Sequence, residues 1–339
     1  MGSYKEGSEK VRENMYRLLI TSSGGNTFTD PIVTEGIRWT THRQGAAGRL
    51  DFTVIGCNEE HFAEGDKAEL FCRGLPVFCG YIFTRKLAKG RIAQITAFDQ
   101  LRYLKNKDTY VYENKTASEL LQMIASDFGL QTGEIEDTGY KIPARVEENT
   151  ALFDMLETAL ALTKESTGKS FVMYDDCGRI SLKNIGSMTV KRGSGYLLID
   201  EKGGENFEYG SSIDLGTYNK IKLVFDSEGT GKREVYIAQD GGNINSWGVL
   251  QYFDALREGE NGQAKAQSLL KLYNAKTRKL KITRVFGDPN VRAGSLVAVR
   301  LNLGDVFVNN FMMVEKAVHT FKTDEHFMDL TLIGGDFTA

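Results

Sequence analysis

Residues 116–129 read TASELLQMIASDFG. Thr116 followed three positions later by Glu119 is a capping box: the hydroxyl accepts from a first-turn backbone N–H, and the carboxylate reaches back to the N–H of the cap. Leu120, Leu121, Ile124 and Phe128 follow at helical spacing, and Gly129 stands where a left-handed residue ends a helix. A second apolar stripe, Leu152, Leu156, Ala159, Leu160 and Thr163, predicts another helix starting near Asn149 or Thr150. FVMY at 171–174 and RISLK at 179–183 then flank Asp175-Asp176-Cys177-Gly178 as a hairpin. Residues 109–190 therefore read as a small α+β domain.

Both flanks read as strands. Before the helix come MYRLLITSS, RLDFTVI, KAELFCR, VFCGYIFTRK and RIAQITAF, short β-branched and aromatic runs separated by Gly- and Asn-containing turns such as Arg73-Gly74. After the hairpin come KIKLVF, EVYIA, LKITRVF, SLVAVRL, FMMVEKAVHTF and HFMDLTLI. One helix interrupts them near 262–276, with Ala266, Leu269, Leu270 and Tyr273 on one face. The regular short strands before the helix suggest a barrel or sandwich. The expected division is a flexible N-terminus over 1–14, a first β domain over 15–108, the α+β domain over 109–190, and a second β domain over 191–339.

The composition agrees. The chain has 339 residues, long enough for two or three domains, with 36 glycines and only 4 prolines. Glycine serves tight turns, and proline would break ladder hydrogen bonds. A net charge of −3 excludes a polybasic nucleic-acid binder on global charge. The polar start MGSYKEGSEKVREN has no apolar core of a signal peptide, Glu6 stands where a myristoylation signal wants Ser or Thr, and no apolar run is long enough to span a bilayer. Cys57, Cys72, Cys79 and Cys177 are expected as free thiols in a reducing cytoplasm, and no membrane insertion is expected.

A screen for chemistry assigns no catalytic, cofactor-binding or metal-binding residue. Gly168-Lys169-Ser170 resembles the end of a phosphate-binding loop, but Thr163 replaces the required first glycine and the tripeptide follows a helix instead of opening one. Gly229-Thr230-Gly231-Lys232 continues with Arg233 where Ser or Thr is needed, and Gly193-Ser194-Gly195 lacks the third glycine of a dinucleotide site. Cys72 and Cys79 lie across a predicted hairpin without partners. His319 and His326 flank a turn and can meet on adjacent strands, which is half a zinc site at best. Cys177 with His319 is a formal nucleophile–base pair, but Cys177 sits in a hairpin turn, away from a helix N-terminus that would activate it. Asp175-Asp176 and Glu147-Glu148 are adjacent pairs, which point to opposite faces of a strand.

One charge feature stands out. No acid occurs between Asn261 and Gly287, while Lys265, Lys271, Lys276, Arg278, Lys279, Lys281 and Arg284 do. The first six of these cations are candidate interface residues for an acidic protein neighbour. The alternative is a solvated helix face followed by an edge strand guarded by lysines. Only Tyr273 interleaves with the charges, which argues against sequence-specific nucleic-acid reading.

The run ITAFDQLRYLKNKDTYVYENKTASELLQMIASDFGL at 95–130, then TGY, NTALFDMLETALALT and GKSFVMYDDCGRISLKN, resembles the XkdQ/YqbQ family of contractile-phage and phage-like tail proteins. VRAGSLVAVRL at 291–301 and FMMVEKAVHTFKTDEHFMDLTLIG at 311–334 fit the same pattern. These proteins are similar to baseplate hubs such as the late control D family. The resemblance implies a mainly β chain: two tail-tube-like β-barrel domains flanking a small α+β domain, with the helix near 262–276 on a barrel flank. It implies a homotrimeric ring that joins a sixfold tail tube to a threefold spike, without enzymatic activity or cofactors. Its partners would be the central spike, a tail-tube or tube-initiator protein, the tape-measure protein and baseplate wedge proteins. Its setting would be the bacterial cytoplasm during assembly, then the released virion tail or tailocin. The other readings are a tail-associated peptidoglycan hydrolase, for which no recognisable Cys-His or Glu-centred site appears, and a carbohydrate- or receptor-binding module. Trp39 and Trp247, the only tryptophans, sit in no aromatic cluster of the sequence.

Overall fold

The computed structural model describes residues 15–24, 28–34, 36–56, 62–214, 216–226, 232–256, 258–303 and 307–334. The flexible segment expected over 1–14, Cys57 and the glycines at 229–231 lie outside the described residues.

The chain is mainly β, as expected. Strands of alternating polarity build one 13-stranded sheet. It runs from Asn206–Ser212 through Thr277–Phe286, His326–Gly334, Phe307–Phe321, Ile37–His42, Arg49–Ile55, Ile92–Phe98, Leu75–Ala88 and Lys67–Cys72 to Tyr16–Thr21 and Phe28–Thr29. Leu296–Asn302 and then Leu198–Asp200 attach beside Phe307–Phe321. The sheet therefore has two wings, one from each β half of the sequence. Among the described residues it stays an open path, and neither wing closes on itself as a separate barrel.

The 15-residue strand Phe307–Phe321 explains why. One edge of this strand pairs with His326–Gly334. On its other edge, 307–313 pair with Leu296–Asn302, whereas 316–321 pair with Ile37–His42. One strand thus belongs to both wings. Phe321 lies fully buried in the core of the first wing, among Leu50, Leu70, Ile95 and their neighbours. The second wing closes over Leu280, Val297, Val314 and Leu330. A sheet with one face on a core reads as alternating apolar and polar residues, which is the pattern of the sequence.

The segment between the wings forms the α+β piece. Helix α1, Ala117–Asp127, has both hydrogen bonds of the capping box. Gly129 follows with φ +63, and Leu130 N–H returns to the Ala125 carbonyl, closing the helix end. Helix α2 is Leu152–Thr167. It starts later than Asn149 or Thr150, because those residues complete the strand Arg145–Ala151, with Asn149 at φ +49 in its bulge. The hairpin Phe171–Asp175 with Ile180–Asn184 is present, and Thr132–Ile135 adds a parallel third strand. Both helices pack through Leu120, Ile124, Met155 and Leu156 into one core.

A further unit lies within the second half. Lys220–Asp226 sits between Arg233–Gln239 and Gln251–Ala255 in a separate three-stranded sheet, with helix α3, Gly241–Trp247, in the crossover. Helix α4, Gly262–Tyr273, lays Ala266 and Leu269 on Ile221 and Leu223 of this sheet. The helix expected on a barrel flank therefore serves its own small sheet. Gly262 permits the contact: a β-carbon there would run into Tyr236 and Leu256.

Candidate functional site at the three-way junction

Two wings and an α+β piece must be held in one arrangement, and Arg292 is where they meet. It comes from the loop before Leu296–Asn302 of the second wing. Its Nη1 donates to the Asp175 carbonyl at 2.8 Å, and its Nη2 lies 3.6 Å from Asp176 Oδ1. The guanidinium stacks 4.8 Å from the Tyr174 ring of the α+β piece and 5.8 Å from Trp39 of the first wing. A planar, permanently charged fork with two aromatic faces makes such contacts, and a lysine cannot copy them. Next to it, Ala293 N–H donates to Thr41 Oγ1 at 2.9 Å, and Arg43 pairs with Glu315 at 2.6 Å.

The carboxylate of Asp99 anchors the other side. It caps the turn Gln100–Lys105 through Leu101 N–H at 3.1 Å and accepts Gly48 N–H at 2.8 Å. Gly48 must be glycine, since a β-carbon would collide with that carboxylate. Burial, with the Asp175 charge nearby, pushes the Asp99 carboxyl well above the usual range. Burial also raises Asp175 to about 6, against opposing hydrogen bonds from Gly178 at 2.6 Å and Gln100 at 3.4 Å. Gln100 bridges outward: its amide donates to the Gly178 carbonyl and its oxygen accepts Gln131 N–H at 3.0 Å. The cavity between Trp39, Asp99, Asp175 and Arg292 is only ≈ 20 Å³. That is space for about one water molecule. The arrangement is a clamp between structural pieces.

The histidines expected to approach one another do so. His319 Nδ1 lies 2.9 Å from His326 Nε2, and His319 Nε2 lies 2.9 Å from the Val291 carbonyl. The carbonyl can only accept, so His319 carries its proton on Nε2 and accepts from His326 Nε2–H. His326 Nδ1 then faces the Cys72 thiol at 3.9 Å. Burial, then the neighbouring imidazole, lowers His319 to about 3, and burial, then Arg73, lowers His326 to about 4. Both rings are neutral near pH 7, with their nitrogens committed. Trp39 packs 4.8 Å from His319, so it does sit in an aromatic cluster, one assembled from paired strands that are far apart in sequence.

The other residues singled out in the sequence are dispersed. Cys72 faces the core beside Leu70, while Cys79 is opposite Glu69 on the other face. Cys177 occupies a left-handed turn position at φ +50, its thiol pushed up to about 11 by burial, and the nitrogens of His319 point elsewhere. Glu147 is buried against Arg145 at 2.6 Å, and Glu148 is exposed. Gly168 ends α2 at φ +71, and the loop leads into a strand. Among the described residues no group of three or more His, Cys, Asp or Glu is placed to hold a metal ion.

The basic run divides. Lys265 is bound to Glu260 at 3.0 Å, and Arg278 donates to the Tyr209 hydroxyl at 3.0 Å. Lys271, Lys276, Lys279 and Lys281 face solvent. The strand Thr277–Phe286 is internal, flanked by Asn206–Ser212 and His326–Gly334, so its lysines guard no edge. Sequence reasoning missed Arg292, Asp99 and Gln100 as junction residues. Asp99 had a local signal, an N-cap acid before the Leu101–Leu104 apolar pair.

A chain of this kind, with two β wings sharing one long strand and an α+β piece clamped between them, has the fold of phage tail proteins. The 43 kDa tail protein of prophage MuSo2 from Shewanella oneidensis matches it with a TM-score of 0.64 and 14% identity, over 93% of this chain and 98% of that one. The tail protein from Neisseria meningitidis matches at 0.66 and 13%, over 94% and 96%. A prophage tail protein from Listeria monocytogenes matches at 0.59 and 13%, over 95% of each chain. By sequence, the protein belongs to the YQBQ-like family, whose model matches residues 37–333. Its relatives include YqbQ of Bacillus subtilis, 28% identical over 89% of this chain and 92% of that protein. The phage-like element PBSX protein XkdQ of the same organism is 27% identical over 89% and 93%.

Proposed function

We propose that the chain is a structural hub of a contractile injection particle, a phage tail or tailocin baseplate. In this reading three copies close a ring that joins a sixfold tail tube to a threefold spike. The observation that carries it is the shared strand Phe307–Phe321, which locks two β wings into each chain. Three chains then offer six wings to a sixfold tube and three equivalent positions to a spike. A ring needs a heterologous, head-to-tail contact that closes after three steps.

Support also comes from the end-to-end fold likeness to tail proteins and from the family of phage-like relatives. A component of the type VI secretion system from E. coli, described as similar to bacteriophage tail proteins, matches with a TM-score of 0.54 over 95% of this chain. The role is structural and not enzymatic, and its partners are the spike, a tube or tube-initiator protein, the tape-measure protein and wedge proteins. The working division remains 15–108, 109–190 and 191–339. Lys271, Lys276, Lys279 and Lys281, which face solvent, are the cations left to meet an acidic neighbour.

The test is the native mass across a concentration series, for the chain alone and co-expressed with the tail-tube and spike proteins. A complex holding three copies of the 37.8 kDa chain is expected. A stable dimer breaks the threefold match and refutes the hub.

A further inference from the structure

Among the described residues, two surfaces of this chain carry exposed apolar side chains. The first is the three-stranded sheet that α4 packs on through Ile221 and Leu223; on its opposite face Val224 is buried between its neighbours, while other apolar side chains there are exposed. On that opposite face, Lys222 stands directly opposite both Ile237 and Phe253, with Lys220 two residues along the same strand. Ile237 is 46% exposed and Phe253 57%, and the Lys222 ammonium lies 5.9 Å from the Phe253 ring. Asp226, the carboxylate on this face, is spent in two hydrogen bonds to Arg233. On this face Lys222 lies between Ile237 and Phe253, and Lys220 lies at the strand end between Gln239 and Gln251.

The second surface is the two-stranded ribbon of Lys107–Tyr112 and Arg145–Ala151. Tyr110 and Tyr112 point inward to the α+β core. On the outward side Val111 stands directly opposite Val146, and they are 71% and 66% exposed. Glu113 and Glu148 flank the valines in solvent, while Lys107 lies at the far end. Arg145 turns inward to Glu147. This surface is an apolar pair between two carboxylates. Among the described residues neither edge of this two-stranded ribbon pairs further, and monomeric proteins seldom leave such edges uncovered.

We propose that the ribbon of one copy seats on the face of the small sheet opposite α4 in the next copy. Val111 and Val146 cover Ile237 and Phe253, and Glu113 and Glu148 meet Lys220 and Lys222. The complementarity in charge and the shared apolar centre select a second copy of this chain as the occupant. The two surfaces differ, so the contact is head-to-tail, the kind that builds closed rings. This rests on the ring reading and specifies the surfaces that close it. Charged pairs at the margin of an apolar contact set register and partner choice.

The experiment uses the full chain and the charge-reversed variants Lys220→Glu/Lys222→Glu and Glu113→Lys/Glu148→Lys, with the quadruple variant that swaps both surfaces. Sedimentation velocity measures self-association, alone and with co-purified tube and spike proteins, and circular dichroism checks that each variant is folded. Each double variant is expected to weaken trimer formation at least tenfold, and the quadruple variant to recover most of it. Both double variants forming trimers as the parent does overturns the inference and leaves the ring reading standing. Loss in the double variants without recovery in the quadruple overturns the pairing of these two surfaces. A parent chain that forms no trimer even with its partners overturns both.

Discussion

Each of the two buried imidazoles should make a contribution to stability that is lost in acid, and His326→Gln should isolate one of the two. His326 titrates near 6.5 when exposed but is lowered to about 4 in the fold, by burial first and Arg73 second, with Asp288 opposing. His319, beside Val291 and Arg292, is lowered further, to about 3. A base with a lowered folded pKa gives its full contribution above pH 6.5, and that contribution is lost as pH falls, because the unfolded chain gains the proton and the folded chain does not. From pH 7 to pH 5 the loss is about 2 kcal/mol for each imidazole, at about 1.4 kcal/mol per unit. Asp99 and Asp175, raised by burial, act in the opposite sense. They are present in parent and variant alike, so they cancel from the difference. Urea unfolding at pH 5, 6 and 7 gives the stability of each chain. The gap between parent and variant should shrink by about 2 kcal/mol between pH 7 and pH 5 and stay nearly flat above pH 7. Parallel pH curves, or a His326 resonance, assigned by its loss in His326→Gln, that titrates near 6.5 in the folded protein, would refute the reasoning.

Three further outcomes follow from named contacts. Gly48→Ala drives a β-carbon into the Asp99 carboxylate, and it should lower the urea stability by about 3 kcal/mol through overpacking and the strained cap. Arg292→Ala leaves the Asp175 carbonyl and the carboxyl cluster without their cation; a loss of about 3 kcal/mol is expected, and Arg292→Lys should recover little of it, as read from thermal melts. Thr116→Ala removes one half of the capping box of α1 and should cost about 1 kcal/mol, detectable as faster amide hydrogen exchange in the first turn.

Much of the local structure was legible in residues close together in sequence. The capping box at Thr116 and Glu119 and the terminal Gly129 define α1 because caps act within one or two turns. The His319–His326 approach was legible for the same reason: seven residues and one turn place them on paired strands. The start of α2 was misplaced because Asn149 and Thr150 suit a helix start as well as a bulged strand end, and the pairing with Lys107–Tyr112 decided between them. The lysines of 276–281 looked like edge guards, since nothing in their own strand says what pairs on either side.

What the sequence determined by itself was the β–(α+β)–β order, the family, and the absence of any recognisable catalytic motif. Each depends on periodicity, caps and turns, which are written within short windows. What only the tertiary structure decided was the union of the two wings, the separate small sheet under α4, and the junction of Trp39, Asp99, Asp175 and Arg292. Trp39 and Arg292 are more than 250 positions apart in the chain. Side chains so distant leave no common period or spacing. Their meeting is set by which strands share an edge of Phe307–Phe321, a choice made by packing of the whole sheet.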